Sequence, residues 1–218
     1  MTIPQTAVLT GDLVGSTAHP AERIETAMRA IRDAASGISA WHSPVGDTRF
    51  TRFRGDGWQI ALAAPLLALR AAAVIQGRLV ALGLESRISI GIGPAETLGS
   101  QDLSDAAGDA FETSGRGLDR MPDAARLAIA GDGVIEQDRI IADLLGERMG
   151  RWTAPQAQAT AMQLASPDRP PTLHEIGAAL GISPQAVNDR LRGAGGQTIA
   201  SALRRWEAAK GRGTGPSA

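Results

Sequence analysis

The chain has 218 residues, 43% of them apolar, with a formal net charge of −1. That is an ordinary composition for a globular protein of one large domain, or of one medium and one small. The absence of cysteine excludes a disulfide framework and any thiolate metal site. The charge is unevenly spread. Residues 1–150 carry 14 Arg against 19 acids, whereas residues 151–218 carry 8 Lys and Arg against 4 acids. Such a basic end on an acidic body predicts that only the C-terminal part meets a polyanion.

Residues 1–11 have no Arg/Lys-led apolar stretch, so no signal peptide is expected. No apolar run reaches the roughly 20 residues of a membrane helix. The expected setting is cytoplasmic, with no membrane partner. Residues 6–11 read as a short buried strand that ends at Asp12 and the loop Leu13-Val14-Gly15-Ser16-Thr17. Pro20 suits a helix start, and Ile24, Ala27, Met28, Ile31, Ala34 and Ala35 keep helical spacing to about Ser39. Residues 47–63 predict a hairpin turning at Arg54-Gly55-Asp56-Gly57. An Ala/Leu helix over 65–83 follows, with Gly83 as its C-cap, and then an alternating strand over 87–93. A helix near 105–120, a strand at 125–130 and a helix near 136–148 complete the first region. This order predicts an α+β class, a ferredoxin-like α/β sandwich.

From Trp152 to Glu207 only helical patterns remain. We therefore expect an α/β domain over 1–148, a small all-α domain over 149–210 and a Gly/Pro/Ser-rich flexible tail over 211–218. Within the second region, Thr172 and Glu175 form a capping box, and Ile176, Ala179 and Leu180 form the inner face of a short helix. Gly181 marks a sharp turn, Ser183 caps the next helix and Pro184 opens it. Val187 and Leu191 then pack inward, leaving Gln185, Asn188, Asp189, Arg190 and Arg192 outward. Gln and Asn suit adenine edges, and Arg suits guanine or phosphate. The segment resembles the helix-turn-helix of bacterial transcription regulators. That resemblance implies a DNA partner met by Ser183, Gln185, Asn188, Asp189, Arg190 and Arg192. The other reading of the same pattern is a helical bundle for protein contacts.

In the first region Asp12 ends a strand and Asp56 sits at a hairpin tip. If the strands are neighbours, the two carboxylates converge and can hold one or two Mg²⁺ ions against a triphosphate. The backbone from Leu13 through Val14 and Gly15 to Ser16 can cradle phosphate. Alone, each piece reads equally as a strand-end cap and an ordinary hairpin turn. Their order, however, is similar to the class III nucleotidyl-cyclase palm, and more closely to SatD-like proteins. It is carried by Asp12-Leu13-Val14-Gly15-Ser16-Thr17, Gly55-Asp56, the strand 87–93 and the helix containing Glu112 and Arg116.

The resemblance implies a purine nucleotide with Mg²⁺, the metal on Asp12 and Asp56, Arg52 and Asp105 at the base, and Arg116 on the transferring phosphate. Glu112 stands where that family carries Asn, and a carboxylate there repels phosphate. Turnover is therefore not expected. The chain reads as a homodimeric transcription regulator whose cyclase-like domain binds a purine nucleotide or second messenger, or dimerises. An active Mg-dependent cyclase or nucleotidyltransferase fused to a DNA-binding domain is the alternative, and a protein-interaction adaptor a third reading. His42 and His174 read as surface or capping residues, and Trp58 as part of the sheet face.

Overall fold

The apolar run after Gln5 becomes the central strand of a five-stranded sheet in the computed structural model, which describes residues 5–41, 48–53, 55–97, 103 and 105–213. This strand, β1 (Gln5–Leu13), pairs antiparallel on one side with β3 (Gly57–Leu62) and on the other with β4 (Ser86–Pro94). Strand β2 (Thr48–Phe53) lies outside β3, and β5 (Leu127–Gly131) runs parallel to β4, giving the order β2-β3-β1-β4-β5. Helix α1 (Ala21–Ser39) connects β1 to β2, and α2 (Ala68–Ala81) connects β3 to β4. The first six elements therefore make the ferredoxin-like βαββαβ unit expected from the pattern, with β5 added at one edge.

Alternation along β1 separates two faces. Ala7, Leu9 and Leu13, with Trp58, Ile60, Leu62, Ile88 and Ile90, join one core with Ala27, Met28 and Ile31 of α1. Trp58 is fully buried in this core, and its Nε1 donates to Ser86 Oγ at 3.1 Å. The opposite face carries Val8 and Ala61 against Ala110 and Phe111 of α3 (Asp109–Asp119), and Thr10 shares a 2.7 Å hydrogen bond with Ser114. Gly91 permits this approach, since a Cβ there would lie 2.2 Å from the Ala110 carbonyl oxygen. Helix α3 starts at Asp109, later than expected, because Gly108 (φ 132°) breaks the backbone just before it.

Helix α4 (Glu136–Met149) adds Ala142, Leu145 and Met149 to the larger core, and the expected boundary at 148/149 falls at its end. Hydrophobic contact continues across that point. Helix α5 (Ala154–Leu164) lies on α2, where a Cβ on Gly77 would come 3.0 Å from Ala161 Cβ. The sheet on one side and α5 on the other explain why α2 is apolar almost all round. Its Arg70 is buried and forks onto Glu207 of α8 (Gly196–Gly213), with Nε–Oε1 at 2.7 Å and Nη2–Oε2 at 2.8 Å.

Between α5 and α8 come α6 (Leu173–Leu180) and α7 (Pro184–Ala194). Ala159, Ile176, Val187 and Leu191 form their shared core. Gly177, not Ala179, is the third inward position of α6; a Cβ on Gly177 would lie 2.7 Å from the Ile182 carbonyl oxygen, whereas Ala179 is exposed. Helix α8 continues to Gly213, and residues 214–218 of the expected tail lie outside the described residues, as do His42 and Arg54. No helix among the described residues is long and apolar enough to cross a membrane.

Asp138 pins α8 to the start of α4. Its Oδ1 accepts from Trp206 Nε1 at 2.7 Å, and its Oδ2 accepts from Ile135 N–H at 2.8 Å and from Lys210. Burial raises the Asp138 pKa, but the bonds from Lys210, Ile135 and Trp206 outweigh it and hold the carboxyl below its ordinary range. A carboxyl so depressed adds stability above its unfolded pKa, and that contribution fades as pH falls through the lower folded value.

Candidate functional site

Two places on the chain carry the residues singled out by sequence. The first is the end of the sheet where β1 stops. Loop residues Gly15 to Thr17 turn through Gly15 (φ 64°), whose positive φ a side chain would strain. Val14 N–H is engaged by the Glu85 carbonyl at 2.9 Å, while the N–H groups of Gly15, Ser16 and Thr17 make no backbone hydrogen bond among the described residues. A cleft of about 300 Å³ beside this loop is lined by Ser16, Thr17, Ile24, Glu25, Arg52 and Asp56. That is the lower limit of size for a small-molecule pocket. Arg52 is held there by Glu25 and donates from Nε to the Gly55 carbonyl.

Asp12 is not among the residues lining this cleft. Its side chain shares the Thr10 face of β1, the α3 side, because residues two apart point the same way. Opposite it in the β1–β4 register stands Arg87. The guanidinium forks onto the carboxylate, Nε to Oδ1 at 3.0 Å and Nη2 to Oδ2. The bond to Asp12, working against burial and aided by the charges of Asp12, Asp123 and Asp56, raises the Arg87 pKa. A cation thus already sits on both oxygens of Asp12. No group of three or more His, Asp or Glu side chains suited to a metal occurs among the described residues. The residues present are a poor fit for Mg²⁺: the guanidinium already takes an acceptor site on each Asp12 oxygen, and its charge repels a second cation.

Mn²⁺ titration followed by electron paramagnetic resonance is expected to show no ion on Asp12 while Arg87 is present, and a weak site to appear in Arg87→Ala. Binding to the wild-type chain that Asp12→Asn abolishes would reverse this reading.

The remaining nucleotide-contact candidates lie elsewhere. Leu13 is buried in the helix-side core and offers only its backbone. Val14 lines a different cleft, with His19, Leu84 and Trp152. Glu112 and Arg116 pair with each other at 3.0 Å on the exposed side of α3. Asp105 is exposed in the segment before α3. The cleft therefore gathers Ser16, Arg52 and Asp56. Asp12 lies outside its lining, although its register partner Gly57 directly follows Asp56 and the Asp56 charge reaches Arg87. Asp105, Glu112 and Arg116 are not among the lining residues either.

The second place is the α6–α7 pair. Thr172 and Glu175 make the expected reciprocal cap. Gly181 turns in the left-handed conformation (φ 66°), and Ser183 Oγ accepts from Ala186 N–H at 3.2 Å to start α7. Loss of this cap in Ser183→Ala is expected to cost about 1 kcal/mol of stability, read from the urea midpoint. Val187 and Leu191 are completely buried, whereas Gln185, Asp189 and Arg192 are exposed, with Ser183 at the leading end. Asn188 and Arg190 are half-buried, flanking this face instead of standing at its centre. Asp189 accepts from both Gln185 (3.3 Å) and Arg192 (3.0 Å), so the outward side chains are pre-ordered around one carboxylate. At the far end Arg148 of α4 donates to the carbonyls of Ala194 (2.9 Å) and Gly193 (3.0 Å), capping α7. Sequence reasoning missed Arg87 and Arg148. Only the strand register reveals the first, and only the reach of Arg148 to the last carbonyls of α7 the second.

No protein-family model matches the chain, and no curated protein does. Among solved structures, the guanylyl cyclase Cya2 is similar at 17% identity and a TM-score of 0.43, over 58% of this chain and 74% of that one. Two structures of a bacterial light-regulated adenylyl cyclase are similar at 17% and 18% identity, with TM-scores of 0.39 and 0.40. Each match covers 59% of this chain, and 77% and 43% of those chains. Likeness of this degree assigns no activity.

Proposed function

We propose that the chain is a DNA-binding regulator in which α7 enters the major groove and the α/β unit binds a purine nucleotide or pairs two subunits. One observation carries the first half. The α6–α7 pair has the left-handed Gly181 turn and the Ser183 cap, with Val187 and Leu191 wholly inside and Gln185 and Arg192 outside. Such a face offers bidentate donors to base edges, and the excess of basic residues after 150 supplies attraction to phosphate. Ser183, Asn188 and Arg190 would contact the backbone at its margins, and Asp189 would keep the long side chains aligned until they meet DNA.

The nucleotide half is supported by the cleft at Ser16, Arg52 and Asp56, where the Glu25-paired Arg52 guanidinium and loop N–H groups with no backbone partner among the described residues suit a phosphate or a base edge. Because Arg87 holds Asp12, this reading needs no Mg²⁺. The Mg-dependent cyclase alternative requires Arg87 to release Asp12 and Glu112 to release Arg116.

The test is selection of bound duplexes from a random-sequence pool, followed by fluorescence anisotropy of the enriched duplex at several salt concentrations. Specific binding that weakens steeply with salt is expected. No enrichment, or affinity indifferent to salt, would overturn DNA binding. Calorimetric titration with ATP, GTP and their cyclic forms tests the cleft, and pyrophosphate release with Mg²⁺ or Mn²⁺ would establish the enzyme reading instead.

A further inference from the structure

Among the described residues, four large apolar side chains are exposed, and three of them belong to α4 or its N-cap: Ile135 (55%), Ile140 (49%) and Leu144 (66%). Ile140 and Leu144 stand one turn apart on one stripe. Beside that stripe α4 and α8 leave a groove of about 440 Å³ whose apolar walls include Ile141, Leu145, Ile199 and Leu203. A protruding apolar ridge and an apolar groove thus lie side by side on one surface of one chain. Singly exposed apolar residues need no explanation, but a contiguous ridge and groove mark a contact surface.

We infer that this α4–α8 surface is an isologous interface with a second copy of the chain, α4 packing antiparallel on its own image. A twofold axis brings the ridge of each copy to the groove of the other, the self-complementarity such an interface requires. Charge agrees with this occupant. Glu136 precedes Ile140 by four residues, and Arg148 follows Leu144 by four. The antiparallel register that sets Ile140 against the partner's Leu144 therefore also sets Glu136 against the partner's Arg148. A parallel pairing would instead face each of these charges with its like. The inference rests on the proposed function, whose two subunits it joins. It also adds a consequence: Arg148, at the rim of this interface, holds the last carbonyls of α7. The contact between subunits would then set the relative placement of the two recognition helices.

Sedimentation velocity of the full chain, without DNA, is expected to show a concentration-dependent dimer. Leu144→Glu should weaken it by about 100-fold, as expected for an anchor side chain in a desolvated pocket. Leu144 is exposed in the single chain, so an unchanged thermal melt for this variant excludes misfolding as the cause. The chain has no cysteine. An oxidised I140C/L144C variant should therefore run as a covalent dimer on a non-reducing gel through the introduced thiols alone. A wild-type chain that stays monomeric at about 100 µM, a dimer indifferent to Leu144→Glu, or the absence of the cross-link would each overturn the inference. A chain that dimerises through α4 yet binds no duplex would overturn the proposed function and leave this interface standing.

Discussion

Glu207→Ala is expected to lower the free energy of unfolding by about 3–5 kcal/mol, the usual cost of removing one partner of a buried ion pair. Arg70 keeps only 2% of its side chain exposed and Glu207 12%, and their fork is closed by two short hydrogen bonds. Among the described residues, the one other hydrogen bond of Arg70 goes to the Leu164 carbonyl, at 3.4 Å. With Glu207 gone, a cation is left inside the protein with that one weak acceptor. Two companions separate this loss from simple loss of packing. Glu207→Gln keeps one acceptor and should cost less, while R70M/E207L removes both charges and should recover most of the loss. Urea unfolding at neutral pH reads all three. A loss below about 1 kcal/mol for Glu207→Ala would mean that α8 is not docked on α2 in solution.

The second large effect concerns DNA. R190A/R192A is expected to weaken the enriched duplex by about 10- to 100-fold, combining one base-edge contact with one phosphate contact. The two substitutions should differ individually. Arg192 is 75% exposed and in line with Gln185, so Arg192→Ala should relax preference at one base pair. Arg190 is half-buried at the margin, so Arg190→Ala should reduce affinity evenly across sequences and flatten the salt dependence by about one ion. Neither side chain supports the core around Val187 and Leu191, so stability should be unaffected. Unchanged affinity for both would show that another face of the chain meets DNA.

Much of this architecture could be read directly because its signals are local. The period-two run of Ile88, Ile90 and Ile92 marks β4, and the spacing of Ala27, Met28, Ile31 and Ala34 marks α1. Caps at Thr172 and Ser183 fall within three residues of the groups they satisfy. The candidate site was less legible, because its decisive contacts join distant segments. Asp12 and Arg87 are 75 residues apart and meet only through the β1–β4 register. Without that register, Asp12 looks like a free strand-end carboxylate available to a metal. The same register places Asp12 on the α3 face, outside the lining of the cleft that holds Arg52 and Asp56, although Asp56 is close enough for its charge to act on Arg87. The Arg70–Glu207 pair spans 137 residues, and nothing near either residue announces it. The inward role of Gly177 in place of Ala179 was hidden for a different reason. Helical periodicity marks which positions face inward, but the close approach of the following turn decides which of them must lack a side chain.

Helix α2 is walled in by the sheet beneath and α5 above, with Gly77 letting the two helices touch. The two halves of the chain are therefore geared together, not strung on a leash. A displacement of the sheet end near Ser16 and Arg52 that tilts α2 must carry α5 with it, and through α5 the neighbouring α7. A message from one half to the other would then travel as leverage through tightly meshed backbone, over a short throw and with little slack.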